Sequence, residues 1–209
     1  MNYPEEPYFM TYTEYGFYAL LWLSFGVVHS LLASASAKRF LKPLFGRAYR
    51  LSYNIFSALH IGLILIGGQL LLAENSESFN LASGFDVLIT ASRWLGAGVI
   101  LAALTQYDLG LFGGLKQLRH DSHLADDEEP LPMTGMHRYV RHPIYLGAYL
   151  YLWGGAADEF GLQTALWGSA YLFIGTWFEE RKLIAQYGQS YVAYRHKVSS
   201  IIPFRGRAI

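Results

Sequence analysis

Two blocks of this chain, Tyr15 to Ala35 and Tyr53 to Ala73, contain no charged side chain, and a third, Val87 to Leu104, is interrupted only by Arg93. A hydrocarbon core takes about 20 apolar residues to cross as a helix, and a helix is the single-segment structure that satisfies its own backbone there. The three blocks therefore read as membrane-crossing helices. A fourth block, Ile144 to Ala157, is short, and a fifth, Phe160 to Phe178, follows it after Asp158 and Glu159. These two read as a helical hairpin whose first arm reaches across with a tilt or with its flanking residues. The expected fold is all-α: an integral-membrane bundle of about five transmembrane helices, the last two a helical hairpin. Glu5 and Glu6 precede the first block and no positive segment does, which argues against a cleaved signal peptide.

Composition sharpens the exclusions. Only 15% of the residues are charged and 53% are hydrophobic, where a soluble domain carries about a quarter charged residues. Cysteine is absent, which excludes a disulfide scaffold, a thiolate metal site and a cysteine nucleophile. Basic and acidic residues balance at 16 each, so nothing points to nucleic acid as a partner.

The position of the charges sets the orientation. Lys38, Arg39, Lys42, Arg47 and Arg50 share one side of a five-span arrangement with Lys116, Arg119, Arg138, Arg141 and the basic residues of the C-terminal tail. The opposite connections, with Glu5, Glu6, Glu14, Glu74, Glu77, Asp86, Asp158 and Glu159, hold no Lys or Arg. The positive-inside rule puts the basic side in the cytoplasm and the N-terminus outside.

Polar residues capable of chemistry gather on that basic side. The loop from about 106 to 142 carries His120, His123, His137 and His142, and ends in Arg141-His142-Pro143. Pro143 suits the first turn of a helix, whose free N–H groups beside Arg141 form an anion site; a basic anchor at the lipid interface is the plainer alternative. His120-x-x-His123 lacks a third ligand, and no metal site is read there. The acidic run Asp126 to Glu129 reads as a solvated loop. At the end of the fifth block stand Glu179 and Glu180. Either they sit in headgroup water with Glu179 pairing Lys182, or one carboxylate turns inward to hold a polar ligand. Inside the first two spans, His29 and His60 lie at a comparable depth, about 9–10 Å from the cytoplasmic end. They read as interhelical hydrogen-bonding residues, as a proton acceptor, or as a haem or metal pair. Gly67, Gly68, Gly96, Gly98, Gly154 and Gly155 suit close helix packing.

Arg141-His142-Pro143-x-Tyr145-x-Gly147, then Glu179-Glu180, then Tyr187-Gly188-x-x-Tyr191-x-x-Tyr194 and Pro203, resemble the isoprenylcysteine carboxyl methyltransferase superfamily of integral-membrane enzymes. The family's Val-Pro pair is here Val198-Ser199. In the N-terminal half, His29-Ser30-Leu31-Leu32-Ala33, the basic stretch around Lys38 to Arg50 and Tyr53-Asn54-Ile55-Phe56-Ser57 resemble methanethiol S-methyltransferases and also NnrU-type membrane proteins; Asp108-Leu109 and Gly114-Leu115-Lys116-Gln117 resemble the same thiol methyltransferases.

The resemblance implies S-adenosylmethionine as cofactor, held in a pocket at the cytoplasmic face of the bundle, and S-adenosylhomocysteine as product. The implied cofactor-binding residues are Gln117, Leu131, Pro132, His137, Arg141, His142, Pro143, Tyr145, Glu179 and Glu180. His137 stands where many members have Tyr. The implied catalytic residues are His29, Tyr191 and Arg195. Residues 1–105 are then a substrate-side membrane region, and 106–209 the cofactor-binding region. The function implied is methyl transfer to a small or lipophilic acceptor, a thiol first, in a bacterial inner membrane whose lipids are the other partner. Two alternatives remain open: a haem- or redox-associated protein of the NnrU type, or transfer to a prenylcysteine or lipid carboxylate.

Overall fold

The computed structural model describes residues 12–73, 78–82, 84–119 and 131–203. His120, His123 and the acidic run 126–129 lie outside the described residues, as do Glu5, Glu6, Glu74 and Glu77.

Among the described residues the regular structure is helical: α1 (Tyr12–Ala33), α2 (Ala35–Phe45), α3 (Tyr49–Gly68), α4 (Phe85–Leu104), α5 (Leu109–Gly113), α6 (Leu115–Arg119), α7 (Pro143–Trp153), α8 (Glu159–Tyr187) and α9 (Gln189–Lys197). Three stretches are long and apolar enough to cross a membrane: Tyr12–Ala33, Ala35–Leu72 and Phe85–Leu104. They match the first three apolar blocks. Within the second, residues 51–72 carry no charge, so α3 and the π-helical turn Gln69–Ala73 supply the apolar length.

Two elements depart from the sequence reading. The basic stretch after the first block is a separate helix, α2. Ser34 ends α1 and caps α2 by accepting from the Ala37 N–H at 3.2 Å, and Gly46 closes it at φ +54°, where a side chain would be strained. The fifth block continues as helix well past Phe178, so that Glu179 and Glu180 lie within α8. The helix can carry a buried carboxylate there because Glu180 finds charged partners from other elements, described below.

Packing ties the two halves of the chain together. Tyr18, Trp22 and Phe25 of α1 form a buried cluster with Ile64 of α3 and Leu72, against which Phe160 and Tyr171 of α8 pack. Tyr18 Oη bonds Thr164 Oγ1 at 2.8 Å across the α1–α8 contact. On the other side α4 and α7 approach at Gly96 and Gly147. A Cβ at Gly96 would strike the backbone of Gly147, Leu150 and Tyr151, and one at Gly147 would strike Gly96 and Ile100. Gly68 and Gly154 are likewise filled, by the Tyr18 ring and the Arg93 backbone, whereas Gly98 faces open space and needs no packing role. Arg93, the charge within the third apolar block, rests over the Tyr151 ring at 5.1 Å.

Candidate functional site

α7 begins at Pro143, and the C-terminal tail fixes the chain just before it. Arg141 N–H donates to Ser199 O at 2.9 Å and His142 N–H to Ser200 O at 3.0 Å. Tyr194 Oη donates to His137 O at 2.6 Å. Residues 137–142 thus carry tail contacts on one side and, on the other, face α8.

The two adjacent carboxylates of α8 take different roles. Successive residues on a helix point about 100° apart, so Glu179 and Glu180 cannot share a direction. Glu180 is buried, 9% exposed. Its Oε1 accepts from Arg141 Nε at 2.8 Å, from Arg141 Nη2 and from His142 Nε2 at 3.3 Å. Its Oε2 meets Arg195 Nε at 3.1 Å. Burial by itself would raise the Glu180 carboxyl; the bonds from His142 and Arg141 and the charges of Arg141 and Arg195 outweigh it and hold the group at about 2. Arg141 is buried with it and also donates to the carbonyls of Val198 and Arg195.

Glu179 turns the other way, into a cavity of about 470 Å³, well within the range of small-molecule sites. Its Oε2 is buried without a hydrogen-bond partner, 3.6 Å from His142 Nδ1. Tyr191 lines the same cavity, and its hydroxyl is also buried without a hydrogen-bond partner. Burial pushes that phenol above its ordinary range, with the Glu180 charge adding to the effect. A buried polar atom with nothing to bond is costly, and two of them on residues that line one cavity suit a polar ligand.

Leu131, Pro132, His137, Arg141 and His142 share that wall. His137 is fully engaged: its Nδ1 lies 3.2 Å from Arg141 O and its Nε2 3.1 Å from Tyr107 Oη. A carbonyl can only accept, so Nδ1 carries the proton and Nε2 accepts from Tyr107. Burial lowers the His137 pKa and keeps the ring neutral. Tyr145 stacks on His142, rings 5.4 Å apart and 10° from parallel.

The opposite wall comes from the N-terminal half. His29 of α1 and Tyr53 of α3 line it, with Tyr53 Oη 2.7 Å from His29 Nε2 and Ser57 Oγ 3.1 Å from His29 Nδ1. His60 bonds Ser24 Oγ through Nε2 at 3.2 Å. The Phe25 ring packs against both imidazoles, with centroids 5.2 and 5.5 Å away. Among the described residues no group of three metal-ligating side chains assembles.

Of the sequence-expected residues, His29, Leu131, Pro132, His137, Arg141, His142, Glu179 and Tyr191 line this single cavity. Five do not. Pro143 is buried at the start of α7, Tyr145 lies behind His142, and Glu180 and Arg195 form the ion network. Gln117 lies in α6 with its amide N–H on Leu111 O at 3.1 Å. Sequence reasoning overlooked Tyr53 as a functional side chain. Its signal was there: Tyr49, Tyr53 and Ser57 recur every four residues and share one face of α3.

The chain is similar over most of its length to curated methanethiol S-methyltransferases. It is 28% identical over 189 residues to methanethiol S-methyltransferase 2 of Bradyrhizobium diazoefficiens, covering 88% of this chain and 71% of that protein. It is 26% identical over 193 residues to the methanethiol S-methyltransferase of a Pseudomonas species, covering 90% and 73%. To that of Mycobacterium tuberculosis it is 32% identical over 127 residues, covering 58% and 50%. No family model and no solved structure matches. These homologues support the family of membrane methyltransferases to which the motifs point.

Proposed function

We propose that this relative of the methanethiol S-methyltransferases transfers a methyl group from S-adenosylmethionine to a small thiol in the cavity between α1, α3 and α8. The observation that carries the reading is the Glu179 carboxylate: its Oε2 is buried and unpartnered in a cavity of suitable size, opposite a paired His29 and Tyr53. The donor's ammonium suits Glu179 Oε2, and Tyr191 Oη supplies a hydrogen bond to its polar end. The tyrosine rings of the wall favour a sulfonium by cation–π attraction. When bound, S-adenosylmethionine supplies a methyl group already activated for displacement, so the protein's task is alignment and exclusion of water.

The chain's residues divide that task. His142, Leu131, Pro132 and His137 shape the cofactor wall. Tyr145 holds the His142 ring, Pro143 starts the helix beside it, Glu180 and Arg195 hold Arg141, and Gln117 ties α6 to α5 through Leu111 O. In this arrangement Arg195 acts as a positioning residue for the tail rather than a group that touches substrate. A thiol is a weak nucleophile until ionised. The Tyr53 hydroxyl faces the cavity and its oxygen sits against His29 Nε2, so the thiol proton passes to that imidazole nitrogen, directly or through the phenol.

The same reading places α7 and α8 in the membrane as a hairpin, giving five spans. It sets the N-terminus outside and the cavity and C-terminus in the cytoplasm, in a bacterial inner membrane. Residues 1–105 then carry the acceptor side and 106–209 the cofactor side. Calorimetry of the detergent-solubilised protein with S-adenosylhomocysteine, followed by methyl-transfer assays over thiols, carboxylates and lipids, tests the proposal. Binding together with thiol methylation is expected; folded protein that does not bind S-adenosylhomocysteine overturns it.

A further inference from the structure

Helix α2 has no place in the cavity chemistry beyond Lys38 at its edge, yet its sequence is sharply two-sided. Wound at 3.6 residues per turn, Ala37, Phe40, Leu41, Leu44 and Phe45 fall on one arc and Lys38, Arg39 and Lys42 on the other. Ala37 and Leu41 are half-buried against the protein. Phe40 and Leu44 are covered by nothing, being 83% and 78% exposed. Two large apolar side chains held in water beside three cations would be an unfavourable surface. With 11 residues, α2 spans about 16 Å and cannot cross a hydrocarbon core.

Its location is set by its neighbours. α2 is joined at Ser34 to α1 and through the 3-10 turn Gly46–Ala48 to α3, and both neighbours are of membrane-crossing length and apolarity. It therefore lies where the two spans leave the bilayer, at the interface itself. The charge around it has one sign: from Tyr15 to Ala73 the chain holds Lys38, Arg39, Lys42, Arg47 and Arg50 and not one Asp or Glu. A helix with an apolar arc, a basic arc and both ends tethered at the membrane surface matches an anionic lipid interface in shape and in charge.

We propose that α2 is a membrane-surface helix whose Phe40 and Leu44 enter the acyl boundary and whose Arg39 and Lys42 take the headgroups of anionic phospholipids. The inference depends on α1 and α3 crossing a membrane and is independent of the reaction in the cavity.

The absence of cysteine makes single-cysteine labelling clean. The full chain, carrying F40C, L44C, R39C or K42C, is labelled with an environment-sensitive fluorophore and reconstituted in phosphatidylcholine vesicles with or without phosphatidylglycerol. Labels at 40 and 44 should shift to the blue and be quenched by nitroxides on the acyl chains, and labels at 39 and 42 should not. The shift at 40 should grow with phosphatidylglycerol, and Arg39→Gln or Lys42→Gln should each weaken that lipid dependence by about fivefold. Water-like emission at 40 and 44 in both vesicle types overturns the proposal, as does equal quenching at all four positions. Shielding that persists in detergent together with F40C disulfide cross-linking overturns it in favour of a second copy of the chain.

Discussion

Replacing Glu180 by Gln and replacing Glu179 by Gln should have opposite consequences, although the residues are neighbours and the chemical change is the same. Glu180 is buried with Arg141, whose side chain is only 8% exposed. Glu180→Gln leaves that guanidinium without its counter-charge, and breaking one side of a buried pair costs about 3–5 kcal/mol. For a chain of this length the loss lowers the unfolding temperature on the order of 10 °C. Arg195, 41% exposed at the other oxygen, is worth far less: Arg195→Gln should cost under about 1 kcal/mol. Glu179→Gln weakens the contacts with His142 Nδ1, 3.6 Å away, and with the Tyr145 hydroxyl, which an amide oxygen can still meet, so its melting should fall far less than that of Glu180→Gln. Its S-adenosylhomocysteine affinity should fall about 10- to 150-fold, the equivalent of one charged hydrogen bond of 1.5–3 kcal/mol. Thermal unfolding in detergent and calorimetry on the three variants give the comparison. A Glu180→Gln protein that melts within a few degrees of the parent refutes the role of the ion network. A Glu179→Gln protein that binds as tightly as the parent refutes the cavity assignment.

Tyr53→Phe and His29→Gln should each lower thiol methylation while leaving S-adenosylhomocysteine affinity near the parent's, because both side chains stand on the wall opposite Glu179; a rate unchanged by either would remove the proton-accepting role. Turnover at subsaturating thiol should rise with pH, whereas a carboxylate acceptor would give a flat profile between about pH 6 and 9. The Glu180 carboxyl is held at about 2 in the folded chain against an ordinary 4.5, so its stabilisation is complete above pH 4.5 and is lost as pH falls toward 2. An acid melting series should show that loss in the parent and not in Glu180→Gln. Gly96→Val should separate α4 from α7, because its side chain would strike the Gly147–Tyr151 backbone; circular dichroism and melting would register the loss. A reporter fused after Ile209 should behave as cytoplasmic and one inserted near Ser76 as external, and the reverse would invert the topology.

The apolar blocks and the one-sided distribution of basic residues are properties of local sequence, and they determined the three membrane-length helices directly. The cost of unsatisfied backbone in hydrocarbon leaves such blocks one structure each. The start of α7 at Pro143 was legible for the same reason, since proline fixes its own φ and lacks the N–H that a first turn would leave idle. Helix α2 is hard to tell from a basic loop in the sequence, because it is only 11 residues long and holds Pro43; its caps at Ser34 and Gly46 show only in the structure. The identity of the ligand-facing carboxylate was decided by tertiary structure alone. Glu179 and Glu180 differ in nothing the sequence displays. Arg141, 39 positions away, arrives on the side that Glu180 occupies and neutralises it, which leaves Glu179 pointing into the cavity. The pairing of Tyr53 with His29 has the same origin. Local sequence sets which face of a helix a residue occupies, and only the packing of α1 against α3 sets what that face meets.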